Sequence, residues 1–235
     1  MRFLAKELYD TTAILGEEES VHASRVLRLK PGDRIEVFDG RGRLAQAEIQ
    51  TCGKEVTTKI IQANQWVENP HLYSIAIAPT KHMDRLEYFL EKATEIGVKN
   101  IYIIQTERTE RAKVNRERLQ KILLAATKQS GQLYVPELSQ PISLKDLLKS
   151  TNDEEIRLIA HCNEVFPKED MHMYFKKGKK MLILIGPEGD FTEKEITLSL
   201  ESGCKSVNLA YSRLRVETAG ITALVQLNLL NNMLK

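Results

Sequence analysis

Hydrophobic and polar residues alternate with a period of two through much of the first 70 residues, and this pattern predicts β-strands. The alternation covers residues 34–38, returns over 44–49 after the turn residues of 39–42, and continues over 56–60. The first two runs are a predicted hairpin. A meander of this kind closes most naturally into a small antiparallel barrel, and acidic residues at 17–19 favour a helix before it.

The pattern changes near Pro70, and we place a domain boundary there because proline cannot donate a hydrogen bond to a central strand. Beyond it, short apolar strands alternate with amphipathic helices, which predicts a parallel sheet in an α/β domain. The predicted strands are 72–78, 101–104, 156–160, 181–185 and 207–209. Helical periodicity over 83–96 ends at Gly97, a second helix is centred on 119–126, and a hydrophobic helix closes the chain.

Composition limits the possible functions. The chain has 34 Lys and Arg against 32 Asp and Glu, so its charge of +2 is too small to attract a polyanion, and RNA binding would need local basic patches. No apolar run approaches the length of about 20 residues that a membrane span needs, and no signal peptide is recognisable, so we expect a cytoplasmic protein. The three cysteines and five histidines show neither disulfide nor zinc spacing. We therefore expect no metal, and we expect each cysteine to be a small buried residue.

The most informative loop follows the apolar strand 181–185. It contains Gly186 and Gly189 and leads into a helix whose Thr192 and Glu195 have capping-box spacing. Glycine allows a positive φ or a close approach of the backbone to a ligand, and loops at strand ends are where open α/β sheets bind ligands. The alternative is an ordinary tight turn between strand and helix. The loop matches neither the P-loop nor the dinucleotide-binding fingerprint.

A second loop, over 209–215, also follows a strand and precedes the last helix. We expect the two loops to converge on one ligand. The last helix carries more apolar residues than one amphipathic stripe needs, which favours packing against another subunit.

Together these motifs resemble the RsmE type of 16S rRNA uracil-N3 methyltransferases, within the knotted SPOUT class of S-adenosylmethionine enzymes. The specific motifs are Gly-Pro-Glu-Gly at 186–189 and Leu-Arg-x-Glu-Thr-Ala at 214–219. Weaker ones are Val-Leu-Arg-Leu at 26–29, Gly32-Asp33, Phe-Asp-Gly at 38–40, Lys81, Arg85, 92–98, Glu107-Arg108 and Gln129-Ser130. The resemblance covers the whole chain.

The resemblance implies a PUA-like RNA-binding barrel over residues 1–70 and a SPOUT domain over 71–235, with a C-terminal trefoil knot, a rare exception to unknotted chains. It also implies a homodimer. The implied S-adenosylmethionine site consists of Ile185, Gly186, Glu188, Gly189, Leu209, Leu214 and Thr218. A Cβ at either glycine would then fill space that the adenosine needs.

The implied reaction is methylation of N3 of one uridine in 16S rRNA, within the assembled small ribosomal subunit. We expect Glu217, or a water that it orients, to help remove the N3 proton, while Arg215 or Arg108 stabilises the developing negative charge. The alternative for Glu217 is structural, as a helix cap or a partner of Arg215. The expected RNA contacts are Arg25, Arg28, Lys30, Lys81, Arg108, Arg111 and Arg213, with Lys113, Arg116 and Arg118 extending the second patch.

The chain departs from the family pattern in two segments. Ala210 and Ser212 stand where the family often has Gly and Arg, and Arg213 is a possible substitute for that Arg. Lys128 and Gln132 stand where it often has Glu and Arg, which changes two charges near an expected RNA surface. Two other functions stay open: a non-catalytic RNA-binding assembly factor of the ribosome, and a small-molecule α/β enzyme that binds phosphate at the Gly186 loop.

Overall fold

The computed structural model describes residues 1–110, 113–151 and 156–233, without the side chains of residues 63 and 64. The chain forms two compact units. The first is Met1–Pro70 with Thr127–Val135, and the second is His71–Ala126 with Pro136–Lys235. The units divide at Pro70, where the strand pattern breaks. However, Thr127–Val135 packs with the first unit, which no single division point in the sequence can represent.

The first unit is a closed five-stranded barrel. Its strands are β1 (Arg2–Leu8), β2 (Thr12–Leu15), β3 (Arg34–Phe38), β4 (Arg43–Thr51) and β5 (Thr57–Trp66), in the order β1-β2-β5-β4-β3. The expected hairpin is confirmed, because β3 and β4 pair antiparallel. The pair that closes the barrel, β1 with β3, is parallel. An odd number of strands cannot alternate in direction all the way around a closed barrel, so at least one parallel pair is required.

The hairpin turn is stabilised by the side chain of Asp39. Its Oδ1 accepts hydrogen bonds from the backbone N–H of Arg41 at 2.7 Å and of Arg43 at 3.0 Å. Gly40 and Gly42 both have positive φ, and a Cβ at Gly42 would collide with the hydroxyl of Tyr134. The turn therefore requires glycine for both conformation and space.

The expected helix before β3 is present as α1 (Glu17–Val21), and it continues as a π-helical turn over His22–Val26. Glu19 on α1 is buried, and its Oε1 lies 2.5 Å from Nζ of Lys128. Two further hydrogen bonds join the segment Thr127–Val135, which contains Lys128, to the barrel. Arg2 Nη1 donates to the main-chain oxygen of Gly131 at 2.6 Å, and Val135 N donates to the main-chain oxygen of Gly40 at 3.0 Å. Lys128 is thus engaged within the unit.

The second unit is built on a parallel sheet. Its strands are β6 (Tyr73–Ile77), β7 (Asn100–Gln105), β8 (Glu137–Leu138), β9 (Ile142–Ser143), β10 (Ile156–Ala160), β11 (Glu169–Asp170), β12 (Met181–Ile185) and β13 (Lys205–Asn208). The order is β11-β13-β10-β12-β6-β7-β8, with β9 also paired to β7, and every recorded pair is parallel. β12 inserts between β6 and β10, which precede it in the chain. Such late insertion is compatible with the implied knot. The predicted fold class, an α/β domain after a small barrel, is confirmed.

Five helices accompany this sheet within the described residues: α2 (Met83–Ile96), α3 (Arg116–Ser130), α4 (Leu144–Ser150), α5 (Glu193–Glu201) and α6 (Val216–Met233). Gly97 ends α2 with φ 99°, as predicted. α6 packs against α2 so closely that a Cβ at Gly220 would lie 2.5 Å from the ring of Phe89. Helix α4, whose N-cap is Ser143, was not predicted from the sequence.

The expectation that every cysteine is buried needs correction. Cys204 is buried, and burial raises the pKa of its thiol to about 11. Cys52 and Cys162 are exposed, so the expectation of three buried cysteines was wrong.

Among the described residues, no helix combines the length and apolar character needed to cross a bilayer.

Candidate active site

A cavity of about 590 Å³ opens at the carboxyl ends of three neighbouring strands, β13, β10 and β12. It is lined by residues from the loop after each strand, namely 160–162, 164 and 168, then 185–188 and 190, and then 207–216 with 219. The expected convergence of the 186–190 and 209–215 loops is therefore present. The loop after β10 is a third wall that the sequence analysis did not identify.

The loop after β12 is fixed by the predicted capping box. The Thr192 hydroxyl accepts from the backbone N–H of Glu195 at 3.3 Å, and Thr192 N donates to Glu195 Oε2 at 2.9 Å. The other carboxylate oxygen of Glu195 accepts from the backbone N–H of Glu107 at 2.8 Å. One buried carboxylate therefore connects the start of α5 to the segment after β7.

The two glycines of this loop lie close to neighbouring protein side chains. Neither has a positive φ, and the residue in the left-handed region is Asp190, with φ 64°. A Cβ at Gly186 would lie 3.0 Å from the ring of Phe191, and a Cβ at Gly189 would lie 3.2 Å from Cδ of Arg108. Glycine therefore avoids crowding against protein atoms at both positions, and the expectation that a Cβ would also fill space needed by the adenosine stays a prediction.

Asp190 joins two walls of the cavity. Its Oδ1 accepts from the backbone N–H of Phe191 at 2.8 Å, and its Oδ2 accepts from the backbone N–H of Cys162 at 2.7 Å. The loops after β10 and β12 are thus connected through one carboxylate, whose short side chain also tolerates the left-handed backbone. This role of Asp190 was not predicted from the sequence.

The residues expected to bind the cofactor divide into two groups. Those that line the cavity are Ile185, Gly186, Glu188, Leu209 and Leu214. Gly189 and Thr218 do not line it: Gly189 faces Arg108, and Thr218 is exposed in the first turn of α6. The side chain of Glu188 is held at the rim, since its Oε1 accepts from the backbone N–H of Lys81 at 2.9 Å.

The three expected catalytic residues are also separated. Arg215 is exposed and lines the cavity. Arg108 does not line it, but its Nη1 donates to the Gly189 oxygen at 2.7 Å. Glu217 is buried and does not line it, and its Oε1 lies 4.0 Å from Nε of Arg85 on α2. The expectation that Glu217 acts as a base thus lacks support from the geometry, and its cationic neighbour is Arg85 instead of Arg215.

The basic residues expected to contact RNA occupy both units. In the first unit, Arg25, Arg28 and Lys30 are all exposed. In the second, Lys81 Nζ lies 3.1 Å from Oε2 of Glu110, and Arg213 Nη2 donates to the main-chain oxygen of Glu188 at 3.3 Å.

The basic stretch around α3 is largely engaged within the protein. Arg116 Nη2 donates to the Leu138 oxygen at 3.0 Å, and Arg118 Nε lies 2.6 Å from Glu87. Lys113 is exposed, and Arg111 lies outside the described residues.

His161 is a lining residue that the sequence analysis missed. It is buried, and its Nε2 lies 2.9 Å from the hydroxyl of Ser206. Burial lowers the pKa of His161, and the nearby charge of Lys168 lowers it further. Lys168 also lines the cavity, with its Nζ donating to the Asn163 oxygen at 2.6 Å. No local motif marks this wall, because the loop contains no glycine or capping motif.

The cavity fits a ligand of the size and mixed polarity of S-adenosylmethionine. Its volume lies within the roughly 300–1,000 Å³ of small-molecule sites. Ile185, Leu209 and Leu214 supply apolar wall, while Glu164 and Lys168 supply opposite charges. A nucleoside with a zwitterionic tail needs both kinds of surface. No cluster of His, Cys, Asp or Glu suited to a metal ion occurs in the described part of the chain.

Comparison with known proteins agrees with this geometry. The family model described as RNA methyltransferase domain matches residues 67–228, and that described as RNA methyltransferase PUA domain matches residues 15–61. Ribosomal RNA small subunit methyltransferase E of Rickettsia conorii is 31% identical over 226 residues, covering 93% of this chain and 90% of that protein.

Solved structures give the same result. A probable rRNA-methyltransferase from Porphyromonas gingivalis has a TM-score of 0.89 and 35% identity, covering 100% of this chain and 99% of the other. A ribosomal RNA small subunit methyltransferase E from Neisseria gonorrhoeae, bound to S-adenosyl methionine, has a TM-score of 0.85 and 27% identity over 97% of each chain. These matches confirm the resemblance drawn from the motifs. The chain therefore belongs to the RNA methyltransferase family that includes ribosomal RNA small subunit methyltransferase E.

Proposed function

We propose that this protein uses S-adenosylmethionine to methylate N3 of one uridine in the 16S rRNA of the small ribosomal subunit. The observation that carries the proposal is the convergence of three strand-end loops on one cavity, two of which hold the motifs 186–189 and 214–219. The names of the relatives support the class of RNA, and the structure from Neisseria gonorrhoeae supports the cofactor.

The cavity walls would hold the two ends of the cofactor differently. Ile185, Leu209 and Leu214 offer apolar contact for the adenosine, and Glu164 with Lys168 offers charges for the amino and carboxylate groups. When bound, S-adenosylmethionine supplies a methyl group on a sulfonium for in-line displacement by nitrogen. The loops contribute by fixing the methyl donor in one position, which supplies several kcal/mol of a typical barrier.

The uracil N3 must lose its proton to solvent water before or during methyl transfer, because the protonated imide is a poor nucleophile. Arg215 is placed to help because it is exposed at the cavity wall, whereas Arg213, which also lines the cavity, donates to the main-chain oxygen of Glu188. Its guanidinium stabilises negative charge on the uracil oxygens and so favours the deprotonated base. Arg108 acts as a positioning residue through Gly189, and Glu217 acts on the packing of α6 through Arg85.

The N3 edge lies on the Watson–Crick face, so the target uridine must be unpaired or turned out of its stack. Arg25, Arg28 and Lys30 are exposed and close in sequence, and they would grip the surrounding phosphates. We place this reaction in the cytoplasm, on the assembled small subunit.

A homodimer is part of the proposal. Val225, Leu229 and Met233 are all exposed, and their spacing of four residues puts them on one stripe of α6. An apolar stripe of this kind favours burial against a second copy. Leu229→Glu should reduce the sedimentation coefficient toward that of a monomer, whereas an unchanged coefficient would count against this surface.

The decisive experiment compares ribosomal RNA from cells that lack the protein and from cells complemented with wild type or Arg215→Gln. Mass mapping should find one uridine methyl absent in the deletion, restored by wild type and strongly reduced with Arg215→Gln. The alternative, a non-catalytic assembly factor, would leave every methyl in place and would not bind S-adenosylmethionine in calorimetry.

A further inference from the structure

Trp66 is the only tryptophan of the chain, and it lies at the end of β5 with 70% of its surface exposed. Burial of an aromatic side chain is usually strongly favourable, so this degree of exposure needs a reason. The ring does not simply project into solvent, because one side is backed by Arg43, whose Cζ lies 5.7 Å from the ring centroid.

Arg43 is held rigidly behind the ring. Its Nη1 donates to the Leu8 oxygen at 3.0 Å, and its Nη2 donates to Asp10 Oδ1 at 2.8 Å. Arg43 also pairs directly with Trp66 in the β4–β5 ladder, and its side chain is only 19% exposed. The guanidinium is therefore a fixed support for the indole, and its position does not depend on any ligand.

The same arginine holds the segment that carries a second exposed aromatic residue. Tyr9 lies between Leu8 and Asp10, and it is 54% exposed. The backbone N–H of Tyr9 donates to the Thr12 oxygen at 2.8 Å, and its hydroxyl donates to Glu7 at 2.7 Å. The first unit thus presents two aromatic side chains on segments that Arg43 fastens together.

We propose that Trp66, supported by Arg43, is a stacking platform for an unpaired base of the RNA substrate. This inference rests on the proposed function, since it identifies how that substrate is held by the barrel. Stacking on aromatic side chains is a general means of binding single-stranded RNA, because every base has a π-face. A guanidinium behind the indole keeps the ring in place while the base stacks.

The local charges favour a base over a phosphate as the occupant. The charge of Arg43 is offset by Asp10, and Glu7 and Glu68 add negative charge in the adjoining sequence. A surface without excess positive charge gains little from phosphate contacts. Binding at Trp66 should therefore be insensitive to salt, unlike binding at Arg25 and Arg28, where counterion release makes it salt-dependent.

The test is a titration of the full-length protein with a short single-stranded oligouridylate and with an RNA duplex of equal length, followed by tryptophan fluorescence. Since Trp66 is the only tryptophan, its emission reports directly on this site. We expect quenching by the single strand and none by the duplex. Trp66→Ala should weaken single-strand binding about 5- to 150-fold without changing the slope of affinity against salt.

Two variants make the test specific. Trp66→Phe keeps an aromatic face and should retain most of the affinity. Tyr88→Ala removes another exposed aromatic, which packs near Lys92 on α2, and should leave affinity unchanged. Unquenched emission with the single strand, or equal affinity of Trp66→Ala and wild type, would overturn the proposal.

The remaining outcomes distinguish this proposal from the proposed function. If Trp66→Ala weakened binding to whole small subunits but not to protein-free 16S rRNA or the single strand, the occupant would be a ribosomal protein; if it changed the sedimentation coefficient, the occupant would be a second copy. Either result overturns base stacking. Methylation of small subunits by the wild-type protein is measured in parallel. Active wild type with an unchanged KM for Trp66→Ala refutes the platform alone, whereas inactive wild type refutes the proposed function.

Discussion

The guanidinium of Arg108 donates a hydrogen bond from Nη1 to the main-chain oxygen of Gly189 at 2.7 Å, and its aliphatic carbons lie against the same glycine. Arg108 follows β7, while Gly189 belongs to the loop after β12 that lines the cavity. A side chain outside the cavity therefore determines where one of its walls lies.

Removal of this contact should weaken cofactor binding. We expect Arg108→Ala to raise the Kd for S-adenosylmethionine about 5- to 30-fold, since a hydrogen bond from a charged donor contributes roughly 1–2 kcal/mol. Isothermal titration calorimetry measures the change. Arg118→Ala is the matched control, because Arg118 pairs with Glu87 and has no recorded contact with the loop. Equal affinities of Arg108→Ala and wild type would show that the loop holds its position without this bond.

Glu217 should prove to be structural. Glu217→Gln removes a buried negative charge 4.0 Å from Arg85 and at the first turn of α6, where the helix dipole favours an acid. We expect a loss of about 1 kcal/mol in the free energy of unfolding. Single-turnover methylation, with both substrates saturating, should change little. A loss of rate of about 10²-fold or more with unaltered stability would instead restore Glu217 as the base.

The pair of Glu19 and Lys128 should act as a unit. Lys128→Glu places two carboxylates together at a largely buried position, so we expect a loss of about 1–3 kcal/mol in urea unfolding. The double reversal, Glu19→Lys with Lys128→Glu, should recover most of that loss because the opposite charges are restored. This would explain how the chain tolerates lysine where the family often has glutamate. Additive losses in the double variant would argue against direct pairing.

His161 should make the protein less stable in acid. Its pKa in the folded protein lies below the ordinary 6.5, mainly through burial. Between those two values the unfolded chain binds more protons than the folded one, so stability falls as pH decreases through that window. Thermal unfolding across pH should show a shallower decline for His161→Gln. The exposed His172 offers a control, and His172→Gln should follow wild type. If His161→Gln kept the full decline, another group would be responsible.

Uniform patterns made parts of this structure predictable. The strands 156–160 and 181–185 occur at the predicted bounds because they are apolar apart from Arg157, and the capping box at Thr192 is a local motif. Long-range relationships were not predictable. The parallel closure of β1 on β3 depends on partners far away in sequence, and so does the orientation of the Glu217 side chain toward Arg85. The requirement for glycine at 186 arises from the ring of Phe191, which no spacing rule identifies.

The membership of Thr127–Val135 in the first unit has a consequence for synthesis. A fragment that stops at Pro70 leaves the buried Glu19 without its lysine and the Gly40 carbonyl without the amide of Val135. On a nascent chain, the first unit cannot be complete until all of α3 and the residues as far as Val135 have emerged. More than a third of the second unit, residues 71–126, is therefore translated before the first unit is finished, so the first unit cannot complete its folding before synthesis of the second has begun.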